Sequence, residues 1–301
     1  MTNNFHKSVL LKESIELLNI KKDQKYIDAT LGGGGHTFKI LEMGGVVLGM
    51  DTDPEAIEYV KSKWLMVNSE WKKEENLFLV KGNFKDIKTI AKSNNFDQAQ
   101  GIIFDLGLSS HQLDKPERGF SFKNHVPLDM RMNPDLNVLA SDLVNNLDER
   151  RLYEVFKTYG EEELALPISR SITIQRQIKR IEFCDELAKL VEDVYAKYNK
   201  DQSFKKRHPA TKVFQALRIV INSELENLKE GLLGATEILG SGGRLVVISY
   251  HSKEDRIVKN FLIELKNRLE ILTKKPITPS EEEVRVNLRA RSAKLRAAFK
   301  K

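Results

Sequence analysis

The stretch Asp28-Ala29-Thr30-Leu31-Gly32-Gly33-Gly34-Gly35-His36-Thr37 closes an apolar run, Tyr26–Leu31, and opens a helical pattern. A buried strand that runs through a glycine turn into a helix begins a strand–helix–strand unit. Glycines there let backbone N–H groups approach a ligand closely. The loop is not a dinucleotide fingerprint. Gly-x-Gly-x-x-Gly from Gly32 or from Gly33 would need its last glycine where Thr37 or Phe38 stands, and no Lys-Ser/Thr follows to make a phosphate-cradling loop.

Val46–Met50, Leu77–Val80, Ile102–Leu106 and Leu245–Ser249 are further short apolar runs bounded by turn residues. Rich in β-branched residues and separated by helical patterns, they predict a doubly wound α/β sheet. The interval between the fourth and fifth runs is far longer than one crossover. It ends in a helical pattern from Thr211 to Leu239, stopped by Gly240, Gly242 and Gly243. Before that, Leu152–Tyr159, Ile168–Ile178 and Phe183–Tyr198 have helical periodicity, so a helical subdomain is expected rather than a long loop. The expected division is a discontinuous sheet domain, 1–113 with 211–301, and a helical insertion, 114–210.

The second strand ends in Gly49-Met50-Asp51-Thr52-Asp53-Pro54. An acid at that strand end can accept hydrogen bonds from ribose hydroxyls, a role for Asp51, while Asp53 before Pro54 suits a helix N-cap. Phe84 follows the third strand and could lie against an adenine ring. Asp105 ends the fourth strand, facing the crevice where ligands of such sheets bind, with Gln112 just beyond. The glycine loop with Asp51 points to a nucleoside-containing cofactor, and the missing third glycine favours S-adenosylmethionine over NAD.

The 301 residues are 41% hydrophobic and 31% charged, the composition of an ordinary globular protein, which excludes collagen-like and wholly disordered chains. No apolar run reaches the length of a membrane span, and Met1–Leu11 has no signal-peptide pattern, so a cytoplasmic protein is expected. One cysteine, Cys184, excludes an intrachain disulfide and a cysteine zinc cluster; the six histidines show no paired ligand spacing, and no metal is expected. The net charge of +6 is concentrated at the end, where Arg285–Lys301 holds seven basic residues and no acid. As a tail, that segment would suit a polyanion.

Several segments together resemble the family of small-subunit (16S) ribosomal RNA cytosine-N4 methyltransferases, RsmH or MraW. They are Asp28–His36, Gly49–Pro54, Asp105-Leu-Gly-Leu-Ser-Ser-His-Gln-Leu-Asp114, Glu117–Phe122, Pro127–Met132 and Tyr159-Gly-Glu-Glu162. His208–Arg218, Ile248–Val258 and Arg289–Arg296 complete the series. The resemblance runs from end to end, with two departures: Tyr250 and Lys253 stand where the family usually has Phe and Leu.

The resemblance implies a class I S-adenosylmethionine-dependent methyltransferase with a Rossmann-like sheet and a helical insertion domain for substrate recognition. It implies cofactor contacts at Gly34, Gly35, His36, Asp51, Phe84, Asp105 and Gln112. The implied reaction methylates the exocyclic N4 of a cytosine in 16S rRNA, in the decoding region of the small ribosomal subunit. Asp105 then serves either the target amine or the cofactor, and Phe120, Phe122 and Tyr250 are candidate platforms for the base. His251, at the crevice edge, is a candidate substrate contact, and Arg289, Arg291, Lys294 and Arg296 are candidate phosphate contacts. A methyltransferase for another nucleic-acid base, an NAD-dependent oxidoreductase and a non-enzymatic RNA-binding assembly protein are the competing readings. Monomer and homodimer are both open.

Overall fold

The computed structural model describes residues 8–67, 69, 72–109, 112, 115–122, 125–198 and 208–301. Ser110, His111, Leu113 and Asp114 of the quoted motif, and the first seven residues, lie outside them. The chain forms two compact units, Met1–His111 with Leu225–Lys301, and Gln112–Glu224.

The first unit is built on a sheet of β1 (Lys25–Asp28), β2 (Val46–Asp51), β3 (Leu77–Lys81), β4 (Ala99–Asp105), β5 (Leu239–Ser249), β6 (Leu269–Ile271) and β7 (Lys294–Lys300). The strand order is β3-β2-β1-β4-β5-β7-β6. β1 to β5 pair in parallel, and β7 runs antiparallel to both β5 and β6. Helices α1 (Leu11–Leu18), α2 (Gly35–Glu42), α3 (Pro54–Met66) and α4 (Ile87–Ser93) alternate with the first strands.

Neighbouring residues of each strand feed opposite faces, as the two-residue period of a strand requires. Tyr26, Val47, Ile103 and Ile248 join one core with Ile15, Ile40 and Trp64. Ile27, Leu48, Ile102 and Val247 join the other. Burial on both faces explains why these strands read as continuous apolar runs, each buried aliphatic side chain contributing about 1.5–3 kcal/mol.

The second unit contains α5 (Ala140–Asn146), α6 (Glu149–Gly160), α7 (Ala165–Ile178), α8 (Cys184–Lys197) and α9 (Thr211–Ile221). Its core brings Leu152 and Phe156 together with Ile168, Leu187, Val191, Val213 and Leu217. Helix α9 is therefore part of this unit, which extends beyond residue 210. The single long helix expected from Thr211 is two: α9 ends at Asn222, Ser223 takes a left-handed φ of 48°, and α10 (Glu224–Ile238) follows. The glycines expected to stop that helix lie instead inside β5, where the pairing with β4 shifts register between Ala99 and Gly101. Helices α11 (Ser252–Glu264) and α12 (Glu281–Val286) complete the first unit.

The basic tail is not a tail. Lys294–Lys300 is β7, an inner strand between β5 and β6. No helix among the described residues is long and apolar enough to cross a membrane.

Candidate functional site

Asp28 pairs in register with Gly49 of β2 and with Ile103 of β4. Asp51 and Asp105 each lie two residues further on, so period two puts all three carboxylates on one face at the carboxyl edge of the sheet. Tyr250 lies two residues past Ile248, the partner of Asp105, and belongs to the same face. That edge also contains the place where strand order reverses, between β1 and β4, the usual ligand crevice of such sheets.

Each acid is tied into the turns around it. Asp28 accepts from the Thr37 hydroxyl (2.7 Å) and the Thr30 amide (3.3 Å), anchoring the first turn of α2 to β1. The Thr30 hydroxyl in turn accepts from the Asp105 amide at 2.6 Å. Asp51 accepts from Gly32 N through Oδ2 and from Asp53 N through Oδ1, both at 2.9 Å, which fastens the glycine loop to the end of β2. Asp53 caps α3 by accepting from Glu55 N, with Pro54 at the first helical position. The division of work expected of these two acids is thus present on the side of the cap.

The loop has to be glycine at Gly34. It caps α2 with φ 75°, and a Cβ there would stand 2.9 Å from both Phe38 and Val60. Gly32 has room for a Cβ, which would meet Ser109 Cβ at 3.6 Å and Thr30 O at 3.8 Å, but its φ of 47° favours glycine by conformation. Gly35 begins α2 against Ser8, whose hydroxyl would collide with any Cβ.

Burial raises the pKa of Asp28 and of Asp51 to about 6, against the hydrogen bonds each accepts. Asp105 is raised further, to about 7, first by burial and then by the carboxylates of Asp28 and Glu254, while its bond from Tyr250 works the other way. The Tyr250 phenol donates to Asp105 Oδ1 at 2.7 Å, and His36 Nδ1 stands 3.7 Å from Oδ2. His36 is buried in the first turn of α2.

Phe84 opens a short turn after β3, its ring edge-on to Phe104 at 5.6 Å and against the backbone of Gly231. Gln112 is buried and helical, in the second unit. His251 is the N-cap of α11: its Nδ1 accepts from Glu254 N, and Glu254 Oε2 accepts from the amides of Tyr250 and His251. The cap is what holds Tyr250 in place.

The basic residues separate. Arg289 and Arg291 are exposed. Arg296 is buried and bonds Asp255 through Nε at 2.7 Å, and Lys294 reaches the same carboxylate at 3.4 Å. Arg296 is thus taken up by the fold, whereas the Lys294 side chain is 41% exposed. Phe122 stacks on His208 at 4.1 Å and meets Phe214 edge-on, with Phe120 partly buried in the same core. In the Tyr159–Glu162 motif, Glu162 is fully buried and accepts from Tyr195 Oη and Leu164 N.

Asp28 and Tyr250 share the face of Asp51 and Asp105 through the register between strands, which no single strand's alternation reveals. Nothing local pairs Tyr250 with Asp105, 145 residues away.

The profile of the MraW methylase family matches residues 3–301. The chain belongs to this family. The ribosomal RNA small subunit methyltransferase H of Carboxydothermus hydrogenoformans is 43% identical over 314 residues, covering 98% of this chain and 97% of its own. The protein of that name from Sulfurihydrogenibium sp. is 44% identical over 295 residues, covering 97% of each. This MraW-family chain is a methyltransferase whose donor is S-adenosylmethionine, on a Rossmann-like sheet of the class I kind. The site suits that donor on its own chemistry. Three carboxylates at adjoining strand ends would repel a pyrophosphate and welcome a sulfonium and ribose hydroxyls. Asp51 would hold the ribose, the Gly32–Gly35 loop the donor's backbone-facing side, and Phe84 the adenine.

Proposed function

We propose that the protein methylates the exocyclic N4 of a cytosine in 16S rRNA, in the decoding region of the small ribosomal subunit, acting in the cytoplasm. The observation that supports this most is the placement of Asp105: a central strand end, a pKa raised to about 7, and one oxygen already held by Tyr250. When bound, S-adenosylmethionine supplies a methyl group already activated by the positive sulfur. Asp105 accepts a hydrogen bond from the N4 amine, which localises a lone pair otherwise delocalised into the ring, and takes the proton the amine loses on gaining the methyl group. A carboxylate whose pKa lies near neutral is matched to both tasks. Aligning amine and methyl group supplies much of the rest.

A base reaches such a site only when unstacked, which favours a flexible, single-stranded stretch of RNA. Exposed Arg289 and Arg291 serve as phosphate contacts, and the helical unit recognises the substrate. His36 contacts the cofactor, and His251 caps α11 at the crevice edge.

The test uses small subunits from cells lacking the modification, incubated with labelled S-adenosylmethionine, with the RNA then digested to nucleosides for mass spectrometry. N4-methylcytidine is the expected product. Label on another nucleoside, or none in RNA despite cofactor binding, would overturn the assignment of the substrate.

A further inference from the structure

Tyr250 sits one residue beyond β5 with every part of it constrained. Its amide donates to Glu254 Oε2 at 2.8 Å, its ring flanks Gly107, and its phenol donates to Asp105 Oδ1 at 2.7 Å. Asp105 is held from behind as well, its amide donating to the Thr30 hydroxyl. Among the described residues, one side-chain hydrogen bond fixes the carboxyl plane of Asp105, and it uses Oδ1. His36 Nδ1, at 3.7 Å, is beyond hydrogen-bond distance of Oδ2.

We infer that Tyr250 is a positioning residue for methyl transfer, whose phenol turns and holds Asp105 through Oδ1 so that Oδ2 meets the substrate amine in ionised form. This rests on the proposed role of Asp105. The charged and titratable groups around the pair are Asp28 on β1, His36 on α2, Glu254 on α11 and, near the phenol, Glu283 on α12. Asp28 and Glu254 oppose the ionisation of Asp105, as burial does. Among the described residues the phenol is the hydrogen-bond donor to that carboxylate that favours it, and because burial and Asp105 raise its own pKa, it remains a donor throughout the working range.

Tyr250→Phe removes the hydroxyl and keeps the ring. The wild-type kcat should rise with pH along a limb near 7, set by Asp105. In Tyr250→Phe that limb should move up by about one pH unit, the effect of losing one hydrogen bond to a charged group. At pH values below the limb kcat falls about tenfold, and at pH 9 it returns to within about threefold. The KM for S-adenosylmethionine should stay within about twofold. The same displacement should appear without turnover, as an upward move of the Asp105 carboxyl titration followed by carbon NMR.

An unmoved limb and an unmoved titration overturn the inference. So does a uniform fall in kcat at all pH values, which is what a merely structural tyrosine would give. The reading beneath it fails separately: if the wild type forms no N4-methylcytidine, or if Asp105→Asn retains turnover, Asp105 is not the acceptor and both claims fall.

Discussion

Asp105 and Asp255 are acids of one unit, each with a side chain 13% exposed, and their environments push them in opposite directions. At Asp105 burial dominates, two further carboxylates add to it, and the pKa rises to about 7. Asp255 also feels burial, but the hydrogen bond and charge of Arg296, joined by Lys294, outweigh it and hold that acid below its ordinary range. The difference has two parts: Asp105 is the more deeply enclosed, and Asp255 has cations beside it. An acid matched to a buried arginine is committed to the fold, as Asp255 fastens α11 to β7. An acid buried among other acids costs stability and is available to a ligand.

Activity separates the two acids most. Asp105→Ala should abolish methyl transfer, with the loss in kcat; turnover within about threefold of wild type would remove Asp105 from the chemistry. Asp255→Ala should leave kcat per folded molecule close to wild type. Its effect lies in stability, since Arg296 is left buried without its partner, at a cost of about 3 kcal/mol read by denaturant unfolding. A large kcat loss in a fully folded Asp255 variant would erase the distinction between the two acids.

The pH dependence of stability sharpens it. The folded pKa of Asp105 lies above its ordinary value, so the folded state binds the proton more tightly and loses stability as pH rises from about 4 to about 7. Asp105→Asn should therefore stabilise the ligand-free protein at pH 8, by on the order of 2 kcal/mol once relaxation around the site is allowed for, and not at pH 4. Asp255 has the opposite sign: its contribution is present above the unfolded carboxylate pKa and lost as pH falls through the lowered folded value. Thermal unfolding of Asp105→Asn at the two pH values checks the first half, and an equal gain at both would refute the linkage.

These oppositions mark the boundary of what the sequence makes legible. β1, β2 and β4 are visible because strands buried on both faces are apolar throughout, and Asp51 and Asp105 are visible because each ends such a run. β7 is hidden. Its Lys294, Arg296 and Lys300 give it the look of a solvated basic tail, although its burial depends on β5, β6 and an acid on α11, none of them near in sequence. The break between α9 and α10 is hidden for a related reason, since the apolar period continues through Asn222 and Ser223. There the Asn222 side chain turns to Met130 and Met132, accepting from the amide of Met132 and donating to the carbonyl of Met130. The bond from Tyr250 to Asp105 depends on tertiary register in the same way.

The smallest effect concerns the basic residues that β7 did not absorb. Of the four candidate phosphate contacts, Arg296 and Lys294 bond Asp255, while Arg289 and Arg291 are exposed on the segment leading into β7. An exposed arginine that meets a phosphate contributes a counterion-release term independent of base identity. Arg291→Ala should thus weaken RNA binding modestly for all sequences alike and lower the slope of log affinity against log salt by about one. Cofactor affinity and thermal stability should stay at wild-type values, because Arg291 is exposed. Arg296→Ala should do the reverse, lowering stability and leaving the salt slope of the remaining folded protein unchanged. If Arg291→Ala leaves the slope as it was, the whole basic segment serves the fold, as Arg296 does, and the phosphates are held elsewhere.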